Sequence, residues 1–264
     1  ASAVATYNGT LGGDYVLPDR CVIAVFDIEH TGMAKGDLVH EAEVYEIGAT
    51  ALLCEGGCVE RLPTSIDSFC FSTKPHQQWS SQNAKKAGAT PAVLRNAPKM
   101  EKVVQMWLRG LQSVAESKGG PNGALPIVLA GHDAFNTDMK GLVWGLQKAG
   151  VDPYDTLHKA GVVAVLETRR LAKLIPAAAL GPNPKYGNKE LYCQLVAAAQ
   201  DLQWHRAKQD AVATCAWMQA SPVVAVLSSR NLGGSIASLG AVVLMVYVQY
   251  NERQAMRAIG RVGE

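Results

Sequence analysis

Four carboxylates in three distant segments carry the strongest chemical signal in this chain: Asp27 with Glu29, then Asp138, then Asp210. Asp27 and Glu29 close a β-branched, apolar run, Val22-Ile23-Ala24-Val25-Phe26, and stand at i, i+2. Alternation along a strand points such a pair to one face, into one cleft. Two adjacent anions are costly unless a cation neutralises them, and Mg²⁺ prefers carboxylate oxygens. Taken alone, D-x-E reads first as a strand that ends in a charged turn. The later acids decide against that. Four converging carboxylates would hold two divalent ions, an arrangement suited to in-line phosphodiester displacement. His205, five residues before Asp210, is poised near neutral pH and could take a proton from an attacking water.

These residues need a scaffold. After Gly32 comes a charged connector, Lys35 to Glu43, and then a second strand over Glu46-Ile47-Gly48-Ala49-Thr50-Ala51-Leu52-Leu53. Gly56-Gly57 turns the chain back through Cys58 to Leu62, and a third strand is expected near Phe69 to Thr73. Short turns between the three predict an antiparallel meander beside the first strand. Ala92 to Asn96 reads as a turn region between two prolines. Val103, Val104, Trp107, Leu108, Leu111 and Val114 recur at helix spacing. Leu125 to Ala130 is a buried strand that leads into Gly131-His132-Asp133-Ala134-Phe135-Asn136-Thr137-Asp138. Asp138 would then open a helix, where the dipole favours an anion by about 0.3–1 kcal/mol. A plain N-cap accounts for it equally well. Gly161 to Leu166 is a further strand, ending in Glu167-Thr168. Pro176 to Lys189 reads as a loop, and Leu191, Leu195, Val196 and Leu202 as a helix leading to His205. Strands interleaved with helices after a meander predict an α/β layered domain with a mixed sheet.

Composition sets the bounds. With 264 residues, 48% hydrophobic and 18% charged, the chain can bury a full core as one domain with a tail. A formal net charge of +2 is too small to announce nucleic acid, so any basic groove must be local. Six cysteines in a chain this long do not form a disulfide framework. Cys54-Glu55-Gly56-Gly57-Cys58 has no second Cys/His pair to complete a zinc site and is read as a hairpin turn. The chain begins at Ala1 without a signal-like stretch, and the location expected is intracellular, whether cytoplasmic, nuclear or organellar.

The three acidic segments resemble the motifs of the DEDDh exonucleases, within the DnaQ-like group of the ribonuclease H-like fold. Phe26-Asp27-Ile28-Glu29-His30-Thr31-Gly32 is similar to F-D-x-E-x-T-G. His205-Arg206-Ala207-Lys208-Gln209-Asp210-Ala211 is similar to H-x-A-x-x-D-A, the most specific of the three. The middle motif departs twice: Asp133 stands where Asn is usual, and Thr137 where an aromatic residue usually precedes the acid. The His132-to-Asp138 spacing, the segment Lys185 to Tyr192, and Ala84 to Leu94 with Ala97-Pro98 resemble the TREX-type three-prime repair exonucleases. The likeness covers roughly residues 20–220. It implies metal ligands at Asp27, Glu29, Asp138 and Asp210, a general base at His205, and substrate contacts at His30, Met33 and His132. Trp204 is either a stacking face for a base or core packing. Lys185 and Lys189 are either phosphate contacts or a solvated pair.

The expected division is therefore an irregular segment 1–19, an exonuclease domain 20–230, and a hydrophobic then basic tail 231–264. Ile236 to Val248 is apolar but short of the ~20 residues that a bilayer span needs. It is read as a helix packed on the domain or a partner, with a membrane anchor as the alternative. Arg253, Arg257 and Arg261 share one helix face beyond it. The function expected is a two-metal 3′→5′ exonuclease that uses Mg²⁺, or Mn²⁺ in its place, and releases nucleoside 5′-monophosphates. Its partner is a free 3′ end, DNA ahead of RNA, and a homodimer is also considered. The alternatives are an exoribonuclease with the same chemistry and a non-catalytic nuclease-fold scaffold.

Overall fold

The computed structural model describes residues 15–31, 33–34, 37–38, 42–72, 88–196, 202, 204, 206–230 and 232–261. Most of the expected irregular start and of the charged connector lies outside them. The apolar run before Asp27 becomes β1 (Arg20–His30), an inner strand of a six-stranded sheet. β4 (Val44–Glu55) pairs with it antiparallel on one side and β6 (Ile127–Gly131) parallel on the other. β5 (Cys58–Phe69) lies outside β4. β7 (Val162–Glu167) and β8 (Ile236–Ser238) complete the order β5-β4-β1-β6-β7-β8. β2 (Met33–Ala34) and β3 (Asp37–Leu38) form a separate two-stranded ladder.

Both faces of the sheet are covered, which is why β1 reads as a continuous apolar run rather than as an alternation. Val22, Ala24, Phe26 and Ile28 pack into one layer, with α2 (Met100–Gly119), α3 (Asp138–Lys148), α4 (Pro153–Lys159) and α10 (Leu239–Arg261). Cys21, Ile23 and Val25 pack into the other, with α5 (Thr168–Ala172), α7 (Asn188–Leu195), α8 (Ala207–Met218) and α9 (Ser221–Ser229). Burying each large side chain of this kind contributes about 1.5–3 kcal/mol. The same alternation carries Asp27 and Glu29 to the face covered by α8. Gly48, opposite Asp27 in the ladder, lets α8 settle on the sheet, since a Cβ there would lie 1.9 Å from the Lys208 backbone nitrogen. Only glycine fits that approach.

The mixed sheet flanked by helices agrees with the expected α/β class, and the opening meander is present. Several boundaries differ. Among the described residues no separate third strand begins near Phe69, because β5 runs from Cys58 to Phe69, and Thr73 lies outside them. A register shift accommodates Pro63 and Thr64, with Ala51 opposite Leu62 and Thr50 opposite Ser65. A proline is tolerated there because β5 is an edge strand and the irregularity needs no N–H. The turn region before Asn96 is a helix, α1 (Pro91–Asn96), capped by Thr90 Oγ1. The expected loop 176–189 contains α6 (Ala177–Leu180) and the start of α7. Pro153 and Glu167 begin α4 and α5 by N-terminal proline and side-chain cap respectively.

The apolar stretch after residue 235 is part of this fold. β8 pairs antiparallel with β7, and Leu239, Val242, Val243 and Val246 of α10 are buried in the layer with α2 and α3. Among the described residues no single helix is long and apolar enough to cross a membrane. Packing against the sheet consumes the apolar face that an anchor would present to lipid. The side chains of Arg253, Arg257 and Arg261 lie outside the described residues.

Candidate active site

β1, α3 and α8 bring the expected acids to one place. Ligand-capable oxygens of Asp27, Glu29 and Asp210 all lie within 4.8 Å of one another. Asp27 and Asp210 line a cleft of ≈ 290 Å³, together with His132, Asn188, Lys189, Glu190 and Trp204. Asp138 stands behind this cluster, 3% exposed, and is Asp27's strongest charged neighbour. Its carboxylate accepts from the Ile28 backbone N–H. Its Oδ2 is buried with no hydrogen-bond partner, against Gly131, where a Cβ would approach to 2.8 Å. Thr137 takes the N-cap position of α3, so Asp138 is not the cap. The side chain faces the site rather than the helix end.

The electrostatics follow from this crowding. Burial, and then Asp138, Glu29 and Asp210, hold the Asp27 carboxyl well above the usual carboxylate range. Burial, and then Glu167 and Asp133, do the same to Asp138. Glu29 is pushed up to about 8, by burial first and then by Asp210 and Glu46. Tyr45 Oη donates to Glu29 Oε2 at 3.5 Å, which favours the ionised form. Clustered buried acids with an orphaned oxygen are a poor arrangement for the bare protein and a good one for a hard divalent cation. Asp27, Glu29, Asp138 and Asp210 thus fit a hard divalent cation by donor type and crowding, with Asp138 Oδ2 the oxygen left without a hydrogen bond.

The remaining expected residues fare differently. His132 lines the cleft, its Nδ1 3.3 Å from Thr168 Oγ1, and burial followed by Arg169 lowers its pKa to about 4. It is therefore neutral at physiological pH. His30 ends β1 at a register shift in the β1–β4 ladder and is not among the described residues that line the cleft. Met33 opens β2, with its side chain outside the described set. His205 lies outside the described residues altogether. Trp204 stands in the cleft wall, with Lys189 Nζ 5.9 Å from its ring centre and Tyr192 edge-on at 6.0 Å. It thus has both the wall position of a stacking face and the neighbours of a packed residue. Asp133, where the resembling family carries Asn, has φ 71°. Both residue types tolerate this left-handed conformation, which accounts for the exchange.

Three residues that the sequence reading did not single out hold the site together. Glu46, 0% exposed on β4, pairs with Arg206 Nε at 2.7 Å, and Arg206 also reaches Asp67 at 3.4 Å. This ties the segment before α8 to β4 and β5. Asn188 Nδ2 donates to the Asp210 carbonyl at 2.9 Å, and its Oδ1 accepts from Thr214 Oγ1 and Trp217 Nε1, each at 2.9 Å. Glu167 receives backbone N–H groups from the turn before Asp138. A charged residue at the head of an apolar strand, as at Glu46, and an acid at the end of one, as at Glu167, were the available signals. Buried charges are rare unless paired.

A six-stranded mixed sheet flanked by helices, with acids at the end of an inner strand and on two helices, is an α/β fold of ribonuclease H-like type, which solved 3′-exonucleases share. A solved 3′-exonuclease, from a study of 3′-end-specific recognition of histone mRNA stem-loop, superposes with TM-score 0.56 at 13% identity. The match covers 84% of this chain and 92% of that one. E. coli exonuclease I in complex with a dT13 oligonucleotide superposes with TM-score 0.51 at 14% identity, over 75% of this chain and 40% of that one. A further exonuclease I structure gives TM-score 0.51 at 15% identity, also over 75% and 40%. This chain thus spans about 40% of the exonuclease I length. At such identities the likeness establishes the fold. No protein-family model matches the chain, and no curated protein matches it significantly.

Proposed function

We propose that this protein is a Mg²⁺-dependent 3′→5′ exonuclease that releases nucleoside 5′-monophosphates from single-stranded or frayed ends, with DNA ahead of RNA. The observation that carries the reading is the gathering of Asp27, Glu29 and Asp210 within 4.8 Å beside Asp138. These acids close a cleft that also offers a neutral histidine, a lysine and an indole face. The fold shared with 3′-exonucleases supports it, and the motif resemblance supplies the polarity. The preference for DNA rests on the TREX-like segments.

Asp27, Glu29, Asp138 and Asp210 would hold the metal. Bound there, two Mg²⁺ ions would offset the clustered negative charge, polarise the scissile phosphate and ease deprotonation of the attacking water. The Tyr45 hydroxyl orients the Glu29 carboxylate, while Arg206 compensates Glu46 behind it. Neutral His132 can offer a hydrogen bond to the 3′-terminal nucleotide without adding charge. Lys189 meets a phosphate and Trp204 a base at the mouth. His205 would take a proton from water as the water oxygen bonds to phosphorus and the P–O3′ bond breaks, and the departing 3′ oxygen would take up a proton to become the new 3′-hydroxyl.

The test is a time course on 5′-labelled single-stranded DNA and matched RNA, with wild type and Asp210→Asn, in Mg²⁺ and in EDTA. The expected result is a ladder that shortens from the 3′ end, depends on metal and disappears in the variant. The faster substrate names the preference. Absence of cleavage from any 3′ end with Mg²⁺ or Mn²⁺ present would refute the proposal.

A further inference from the structure

Resting on that reading of the site, the geometry points to Glu167 as a positioning residue that sets Asp138, and with it the affinity for the metal. Glu167 ends β7, is 2% exposed, and lies outside the ligand set. Its Oε1 accepts from the backbone N–H of Asp133 at 2.7 Å and of Arg169 at 3.1 Å. Its Oε2 accepts from Phe135 N–H at 3.0 Å. One carboxylate thus satisfies three main-chain donors, two of them in the turn 132–137 between β6 and α3. Charge-assisted bonds of this kind are the strong ones, and leaving a buried donor unmade is costly.

The turn is also held from within and by the core: Asn136 and Thr137 N–H donate to the Asp133 carbonyl at 3.0 and 3.1 Å, and Ala134 and Phe135 are buried. Asp133 adopts φ 71°, a conformation that persists only when its surroundings impose it. Asn136 Nδ2 donates to Asp133 Oδ1 at 2.7 Å and Thr137 Oγ1 to the Asp133 carbonyl at 3.0 Å, both contacts internal to the turn. Glu167 is the charged group that ties two main-chain donors of the turn to the end of β7, and its neighbour Thr168 donates to the Gly131 carbonyl at 3.1 Å and meets His132. Asp138 follows directly, its carboxylate fitted between Ile28 N–H and Gly131. A small rotation of the turn would carry that carboxylate away from Asp27. Groups that orient metal ligands without touching the metal change affinity by about 10–100-fold when removed.

The experiment is Mn²⁺ titration calorimetry on the full chain, comparing wild type, Glu167→Ala, Glu167→Gln, Asp138→Asn and the double variant Glu167→Ala/Asp138→Asn. Leu157→Ala, a core truncation in α4 away from the site, controls for lost stability. All are measured below their melting temperatures, with 3′-end cleavage assayed in parallel. Glu167→Ala is expected to weaken Mn²⁺ binding by about 10–100-fold. Glu167→Gln falls between it and wild type, because one amide oxygen serves only part of the three donors. Leu157→Ala melts earlier but binds within twofold of wild type. The double variant binds no more weakly than Asp138→Asn alone, since Glu167 acts through Asp138.

Glu167 variants that bind Mn²⁺ as tightly as wild type, or a double variant with additive losses, would overturn the assignment. Should Glu167→Ala not fold, Glu167→Gln carries the same two outcomes. If wild type binds Mn²⁺ and releases no nucleotide, the exonuclease reading fails and the role of Glu167 is still decided by the titration. If wild type cleaves and the Glu167 variants bind normally, only the role of Glu167 fails.

Discussion

Raising the pH on the metal-free protein should destabilise it, and Mg²⁺ should reverse the loss. The perturbation acts on Glu29, whose carboxyl moves from an ordinary 4.5 to about 8 in the fold. Between these values the unfolded chain has lost a proton that the folded chain keeps, so stability is full below 4.5 and falls as pH rises through about 8. Asp27 and Asp138, also raised by burial and mutual repulsion, act in the same direction. His132 opposes them below 6.5, because its folded pKa of about 4 lies under its ordinary 6.5. Above 6.5 that opposition is spent, and among the described groups with shifted pKa values the raised carboxylates set the downward slope, with Cys54, lowered by its hydrogen bond with Cys21, acting against them. Each pH unit there is worth at most about 1.4 kcal/mol per proton, so Glu29 alone contributes about 2 kcal/mol of loss by pH 8. For a domain of this size that corresponds to about 4–8 °C in melting temperature. The assay is thermal unfolding in EDTA and in Mg²⁺ at half-unit pH steps, on wild type and Glu29→Gln. The variant should show a shallower fall in EDTA. In wild type the Mg²⁺ stabilisation should grow with pH, since only ionised carboxylates bind the ion. A melting temperature flat from 6.5 to 8.5 in EDTA, or Mg²⁺ stabilisation that does not grow with pH, would refute the reasoning.

Three substitutions probe the supports of the site. Gly131→Ala places a Cβ 2.8 Å from Asp138 Oδ2 and 3.2 Å from the Phe26 carbonyl. The proposed nuclease activity should fall by about 10–100-fold, as when a group that sets a metal ligand is disturbed, in a protein that keeps its circular dichroism spectrum. Gly48→Ala drives a methyl into the α8 backbone at 1.9 Å, and chemical denaturation should show a loss of at least about 3 kcal/mol, at the upper end for overpacking. Asn188→Ala leaves Trp217 Nε1 and Thr214 Oγ1 without the acceptor they share. It should cost about 1–3 kcal/mol in the same measurement, and a wild-type midpoint would show that water replaces the amide.

The acids themselves were legible in the chain, and so was the layering. Asp27 and Glu29 announce a common face through their i, i+2 spacing, because strand alternation is a local property of the backbone. The apolar run before them marks an inner strand, and the Gly-Gly turn and helix-period pattern mark β4–β5 and α2. Asp138 is ambiguous in sequence, since a helix-opening acid looks the same whether it caps the helix or faces a cleft. Only Thr137 at the cap position and the contact with Gly131 separate the two. The apolar stretch from Ile236 likewise reads as a tail until β8 is seen paired with β7.

What tertiary structure alone decided is which groups support the acids. Glu46 and Arg206 are 160 residues apart, Glu167 and Asp133 34 apart, and Asn188 and Asp210 22 apart. No local period links such pairs. Hydrophobic patterning selects which face of each element is buried, but it does not fix the register at which two distant elements meet. That register is set by close approaches such as Gly48 against the α8 backbone and Gly131 against the Asp138 carboxylate, where the absence of a single side chain determines how near the two come. Local pattern in the chain thus picks out the candidate acids and the strand and helices they sit on. The three-dimensional packing determined their separation, their protonation and the buried glutamates that hold them in place.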